Sequence, residues 1–148
     1  MKISVLLPYK ENFSSSYAGA VSLFLNDTTK VSKYKKFVKI YGNTDFKRDL
    51  LPSKYINLPI KKTFFQSSTR KYLNLFLEHE KFKTSDLIEI HNRPTYVKIL
   101  STIFKKKIIS LYFHNDPLSM DGSKTIQDRK DLLKKCYKII LINLSYPE

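Results

Sequence analysis

The sequence predicts an α/β domain built on a mostly parallel sheet of about six strands. Short β-branched and apolar runs alternate along the chain with stretches of helical periodicity, the pattern of βαβ units joined by right-handed crossovers. Two of the runs, those ending just before His91 and His114, are nearly continuous in apolar residues, as strands covered on both faces are. Size and composition agree. The 148 residues, 42% of them hydrophobic, make one domain with a sizeable core, and disorder is not expected.

The elements read in order as follows. Ile3–Leu7 is the first strand, and a helix is expected over about 17–30. Strands follow at Phe37–Tyr41 and Tyr55–Leu58, then a helix over about 66–83. Asp86–Ile90 forms the fourth strand, interrupted by Glu89, a carboxylate that needs a partner or belongs to a site. The helix over about 94–104 is the clearest. Tyr96, Val97, Leu100, Ile103 and Phe104 share one face, and Pro94 sits in the first turn. Ile108–Phe113 is the fifth strand. The last helix, about 123–136, follows Asp121-Gly122, with Ser123 as its expected cap. Lys138–Ile142 is the sixth strand. No closing helix follows before Tyr146-Pro147-Glu148, so the domain is expected to stop where another would begin.

The formal net charge of +14 is the strongest bulk signal. It favours anionic partners: nucleic acid, phosphorylated ligands or an anionic membrane surface. Lysine far outnumbers arginine, which suits diffuse attraction better than bidentate readout. No nucleic-acid motif accompanies the charge, and the aromatic residues fall in expected strands rather than in an exposed stacking row. Lys33–Lys36, Lys61-Lys62 and Lys105–Lys107 read as solvated loops between elements. No apolar run approaches the roughly 18 residues that span a bilayer. The apolar start is too short for a secretory signal, and Tyr9-Lys10-Glu11 follows in place of a cleavage site. A cytoplasmic protein is expected. Cys136, the single cysteine, excludes an intrachain disulfide and reads as a buried inert thiol.

Two of the three histidines head a repeated tetrapeptide: His91-Asn92-Arg93-Pro94 and His114-Asn115-Asp116-Pro117. Each stands at the exit of an expected strand, in successive βα units. Two polar corners at the carboxyl ends of neighbouring parallel strands would face one crevice, where open α/β sheets bind ligands. Asparagine offers a donor and an acceptor suited to sugar hydroxyls. Histidine can polarise or hydrogen-bond a hydroxyl or phosphate near neutral pH. Arg93 could clamp an anion. Each residue also has an ordinary reading: a histidine satisfied at a strand end, an exposed arginine at a helix start. A metal site lacks further ligands at convincing spacing.

The loop after the first strand is polar and runs into a helix at Ala18-Gly19-Ala20. Gly19 leaves room for close approach at a helix N-terminus, where amides favour anions. Tight packing of helix on sheet explains that glycine equally well. The dinucleotide fingerprint and the P-loop are both absent. Asp116, Ser119, Asp121 and Ser123 form a polar turn with ordinary turn chemistry, and no hydrolase triad order stands out.

Together these segments resemble the N-terminal domain of family-4 glycosyltransferases, the retaining GT-B-fold enzymes that build bacterial lipopolysaccharide and capsule. The stretches that carry the resemblance are Ile3-Ser4-Val5-Leu6-Leu7-Pro8-Tyr9-Lys10-Glu11, Ala18-Gly19-Ala20-Val21-Ser22 and Ile88-Glu89-Ile90-His91-Asn92-Arg93-Pro94. They also include Leu111-Tyr112-Phe113-His114-Asn115-Asp116-Pro117, with Met120-Asp121-Gly122-Ser123 downstream. The resemblance implies a Rossmann-like three-layer α/β/α domain, the acceptor-side half of a two-domain enzyme. It implies a nucleotide-sugar donor as substrate, a glycan or lipid-linked acceptor, and no essential metal or other cofactor. His114 matches the histidine near the transferred sugar. Ala18 and Gly19 match the loop near donor phosphates and acceptor. Glu89, His91, Asn92, Arg93, Asn115 and Asp116 would line the remaining acceptor and donor wall. The donor-binding domain is not in these 148 residues, so a truncated enzyme, a split subunit with a separate C-terminal partner, or a remnant is expected. A basic domain of this kind could rest on the anionic inner face of the membrane. Nucleic acid is not an expected partner.

Overall fold

The computed structural model describes residues 1–46, 50–61, 67–82 and 85–142. Six strands form one sheet: β1 Ile3–Leu6, β2 Val38–Gly42, β3 Tyr55–Asn57, β4 Leu87–His91, β5 Ile108–Phe113 and β6 Lys138–Leu141. Four α-helices connect them: α1 Ala20–Val31, α2 Ser68–Phe82, α3 Pro94–Ile103 and α4 Ile126–Lys135. The spatial strand order is β3-β2-β1-β4-β5-β6. Every pairing is parallel, so the sheet is fully rather than mostly parallel. This is a Rossmann-like α/β arrangement with helices on both faces.

Chain direction across the sheet decides which face each helix covers. From β1 the chain steps to β2 and β3 on one side, and α1 packs on the face made by Ile3, Val5, Leu7, Val38 and Ile40. From β3 it crosses back to β4 and continues outward to β6. Helices α2, α3 and α4 pack on the opposite face, against Leu6, Tyr41, Ile88, Ile90, Leu111 and Phe113. A constant crossover hand requires that change of face when the direction reverses. The reversal lies between β1 and β4, so their carboxyl ends part the connecting loops and leave a crevice.

Local chemistry explains the boundaries that differ from expectation. Phe37 belongs to a single 3-10 turn, Lys35–Phe37, and β2 begins one residue later. Helix α4 starts at Ile126 because Thr125 caps it. The Thr125 hydroxyl accepts from Asp128 N, and the Asp128 carboxylate reaches back to Thr125 N, a complete capping box. Ser123 is therefore not the cap. Its hydroxyl donates to Pro117 O at 2.6 Å and holds the turn before the helix. Lys107 is not a solvated loop residue either: its ammonium lies 2.7 Å from the fully buried carboxylate of Glu80. Cys136 is half-buried at the end of α4, and burial pushes its thiol up to about 11, which keeps it protonated. The outer residues of the expected second helix, Lys62 and the stretch after Ile142 lie outside the described residues.

Candidate functional site

The two tetrapeptide corners meet. β4 and β5 are neighbours, with His91 directly opposite Tyr112. In a parallel sheet that register brings the end of β4 level with the last turn of β5. The polypeptide then exits β4 through Asn92, which adopts a left-handed conformation at φ 51°. Asparagine tolerates that region better than most residues. The turn aims the Asn92 carboxamide across to the other corner. Its oxygen accepts from His114 N at 2.7 Å and from Asn115 N at 3.3 Å. The second corner is thereby hydrogen-bonded to the first by backbone, independently of the imidazoles.

The imidazoles also touch. His91 Nδ1 and His114 Nε2 are 2.9 Å apart, so one hydrogen lies between them. Both rings sit on the face of the sheet that α1 covers. The Tyr112 ring stacks on His91 at 4.6 Å and 11°, and Phe24 of α1 meets His114 edge-on at 4.9 Å and 78°. Burial pulls the His91 pKa down, with Glu89 and Glu11 pulling the other way. Burial, with His91 adding to it, brings His114 down to about 4. Both rings are therefore neutral at pH 7. Burial and the nearby Glu89 charge push Tyr112 up to about 12.

Glu89 completes the group. It lies two residues before His91 on the same face of β4, half-buried, with Oε2 4.0 Å from His91 Nε2. That nitrogen is fully buried and has no hydrogen-bond partner among the described residues. Native interiors rarely leave such an atom unpaired. His91 lines, with Glu89, Tyr112 and Phe24, a cavity of about 240 Å³ under α1.

The start of α1 is occupied by the chain itself. Glu11, in the loop after β1, accepts from Ser22 N and Ser22 Oγ, both at 3.1 Å. A carboxylate there satisfies a free amide and the positive end of the helix. Gly19 makes the room, since a Cβ on it would stand 2.1 Å from Glu11 Oε1. Ala18 and Gly19 are half-buried beside this carboxylate. The glycine thus serves an internal anion in the structure.

Arg93 takes a separate position. It is half-buried, its guanidinium donates to Asn92 O at 2.7 Å, and it lines a second cavity of about 320 Å³ with Tyr9, Tyr96 and Asp121. This cavity lies between the exits of β1 and β4, at the strand-order reversal. Asp116 is exposed and accepts from Leu118 N at 2.9 Å, which caps a 3-10 turn at Pro117–Ser119. Asn115 is exposed beside it. Sequence reasoning placed His91, Asn92, His114, Asn115 and Glu89 in one neighbourhood, and the structure brings them together. It missed Phe24, Tyr112 and Glu11 as members of that neighbourhood. For Tyr112 a signal existed: in a strand it shares the face of His114, two residues on.

Among the described residues, no group of three or more histidine, cysteine, aspartate or glutamate side chains is arranged to hold a metal ion. Among the same residues no helix is long and apolar enough to cross a membrane. No family model, no curated protein and no solved structure matches this chain.

Proposed function

We propose that this chain is the acceptor-side N-terminal domain of a retaining glycosyltransferase of the family-4 kind. It would work on a nucleotide-sugar donor and a glycan or lipid-linked acceptor of the cell envelope, at the cytoplasmic side of the membrane. The observation that carries the reading is the junction of the two His-Asn-x-Pro corners at the carboxyl ends of β4 and β5. It lies beside the strand-order reversal, where α/β sheets bind ligands. In this reading His114 lies against the transferred sugar, and Arg93 with its cavity forms the acceptor wall. The net charge of +14 supports attraction to phosphorylated or lipid-borne acceptors at an anionic surface. The diphosphate of the donor would be held by a second domain, and no metal or other cofactor is assigned a part.

One observation favours a second reading, a binding or interaction domain without chemistry. Glu11 already occupies the N-terminus of α1, where the resemblance would have donor phosphates approach. One experiment separates the two readings. The chain is combined with a donor-binding domain of that family, and transfer from radiolabelled nucleotide sugars to lipid-linked acceptor is measured. Transfer that falls about tenfold or more in His114→Ala supports the enzyme reading. Transfer unchanged by that substitution removes His114 from the site. Acceptor binding without any transfer favours the second reading.

A further inference from the structure

We propose that Glu89 and His91 are positioning residues that fix the tautomer of His114, so that His114 presents a bare Nδ1, a hydrogen-bond acceptor. The inference rests on the reading of His114 as the ligand-facing group, and it narrows what that group can accept.

The argument begins from counting hydrogens. A neutral imidazole carries one hydrogen on two nitrogens. His91 Nδ1 and His114 Nε2 share a contact of 2.9 Å, which holds one hydrogen and not two. Two arrangements satisfy it. If His91 donates from Nδ1, its Nε2 is a bare lone pair, and His114 carries its own hydrogen on Nδ1. If His114 donates from Nε2, His91 keeps its hydrogen on Nε2, and His114 Nδ1 is bare.

The surroundings of His91 Nε2 choose between them. That atom is fully buried, has no hydrogen-bond partner among the described residues, and lies 4.0 Å from Glu89 Oε2. A lone pair turned toward a carboxylate repels it, whereas an N–H turned toward it is attracted. The low dielectric of a buried site magnifies the difference. Glu11 adds negative potential at the ring, the neighbouring Tyr112 stays neutral, and Phe24 from α1 brings no charge. Glu11 favours a hydrogen on the ring without choosing a nitrogen, and the carboxylate that does choose, Glu89 at 4.0 Å from Nε2, favours Nε2–H. The preference propagates: Nε2–H on His91 makes its Nδ1 the acceptor, and His114 Nε2 must donate to it. Tyr112 stacked at 11° on one ring and Phe24 edge-on to the other limit reorientation of the pair. The backbone N–H of His114, tied to Asn92 Oδ1, fixes where the second ring starts.

His114 Nδ1 makes no hydrogen bond among the described residues. As a bare lone pair on a neutral ring it takes a donor. A sugar hydroxyl fits; a fully ionised phosphate, which offers only acceptors, does not. The site thus selects for a neutral hydroxyl at this point, and the relay Glu89, His91, His114 sets that choice from below the sheet surface.

The test reads tautomers directly, on the ¹⁵N-labelled chain without any sugar, by two-bond ¹⁵N–¹H correlation at pH 7. His79 and the two site rings are assigned by single histidine-to-glutamine substitutions. Both His91 and His114 are expected in the Nε2–H form, favoured by about ten to one or more. In Glu89→Gln the Nδ1–H form of His114 should rise to a substantial fraction, since a neutral amide no longer discriminates. Nδ1–H on His114 in the unsubstituted chain overturns the proposal without recourse to any variant. Unchanged tautomers in a folded Glu89→Gln chain overturn the part assigned to Glu89. If the tautomers are as stated yet transfer is indifferent to His114→Ala, the enzyme reading falls and the relay stands. If transfer depends on His114 while its Nδ1 carries the hydrogen, the relay falls alone.

Discussion

The two ends of the sheet carry polar clusters built on opposite terms. At the amino end, Glu80 of α2 is fully buried and fully paired. Ser4 Oγ donates to one carboxylate oxygen, while Ser85 N, Ser85 Oγ and Lys107 Nζ donate to the other. Burial alone would raise the Glu80 pKa, but the hydrogen bonds from Lys107, Ser4 and Ser85 outweigh it and lower it. At the carboxyl end, His91 is as deeply buried but keeps a nitrogen without a hydrogen-bond partner among the described residues, and its neighbour Asn92 holds a left-handed backbone. The first cluster ties a helix to the beginnings of β1, β4 and β5. The second leaves unpaired polarity and sparsely populated backbone in one place, the combination that collects at functional sites.

The comparison breaks most readily at Glu80. Glu80→Ala strands the Lys107 ammonium and both serines, and should destabilise the fold by about 3 kcal/mol. Urea unfolding measures this. A loss under about 1 kcal/mol would mean that the network is solvated like a surface pair, and the contrast between the ends would collapse. The same experiment on Glu89→Gln should show a much smaller loss, because that carboxylate is only partly buried and makes no hydrogen bond among the described residues.

The pH dependence separates the two ends in solution. His91 and His114 have folded pKa values below the ordinary 6.5, His114 at about 4. Between those values the unfolded chain binds more protons than the folded one, so stability falls as pH falls. Their contribution is whole above pH 6.5 and is lost toward pH 4. Glu80 acts lower, because its contribution is whole above its ordinary 4.5 and is lost only below that. Discounted for partial solvent access, His114 should cost about 2 kcal/mol between pH 7 and 4.5. Unfolding midpoints across that range measure it. His114→Gln should flatten most of the slope relative to the unsubstituted chain, with Glu89, Glu11, Tyr112 and His91 still facing the site. An unchanged slope would mean that the ring titrates freely and that this end is not preorganised.

Much of the amino-to-carboxyl layout is legible in the sequence, because strand and helix periods are local. All six strands and four helices stand where apolar alternation and helical spacing put them, and the paired corners at His91 and His114 follow from their equivalent places in successive units. What is not legible depends on side chains that meet across elements. Glu80 sits in a helix with nothing local to mark it, and its partners are Ser4, Ser85 and Lys107 from three other segments. Glu11 looks like an ordinary loop acid until α1 folds back over it. Ser123 and Thr125 are equally good caps by residue type. The Asp128 carboxylate three residues after Thr125 decides between them, and that spacing is a local signal the sequence does carry.

The smallest expected effect tests whether the carboxyl end is held by its own chain. Gly19 has φ −75° and ψ 170°, a conformation open to any residue, so its freedom is not what the position uses. Space is. The Cβ of Gly19→Ala would displace the Glu11 carboxylate from Ser22 N and Oγ. Loss of that cap should cost about 1 kcal/mol. With Glu11→Ala already in place, no cap remains to lose. Replacing glycine then removes only conformational freedom from the unfolded chain, so the same substitution should stabilise by about 0.5 kcal/mol. Equilibrium unfolding of the four chains in that cycle measures the reversal. A cost that persists without Glu11 would place the clash elsewhere and separate Gly19 from the seating of Glu11. A reversal in sign would mean that Gly19 is present for Glu11, and that any anionic ligand approaching α1 must first displace a carboxylate already seated there.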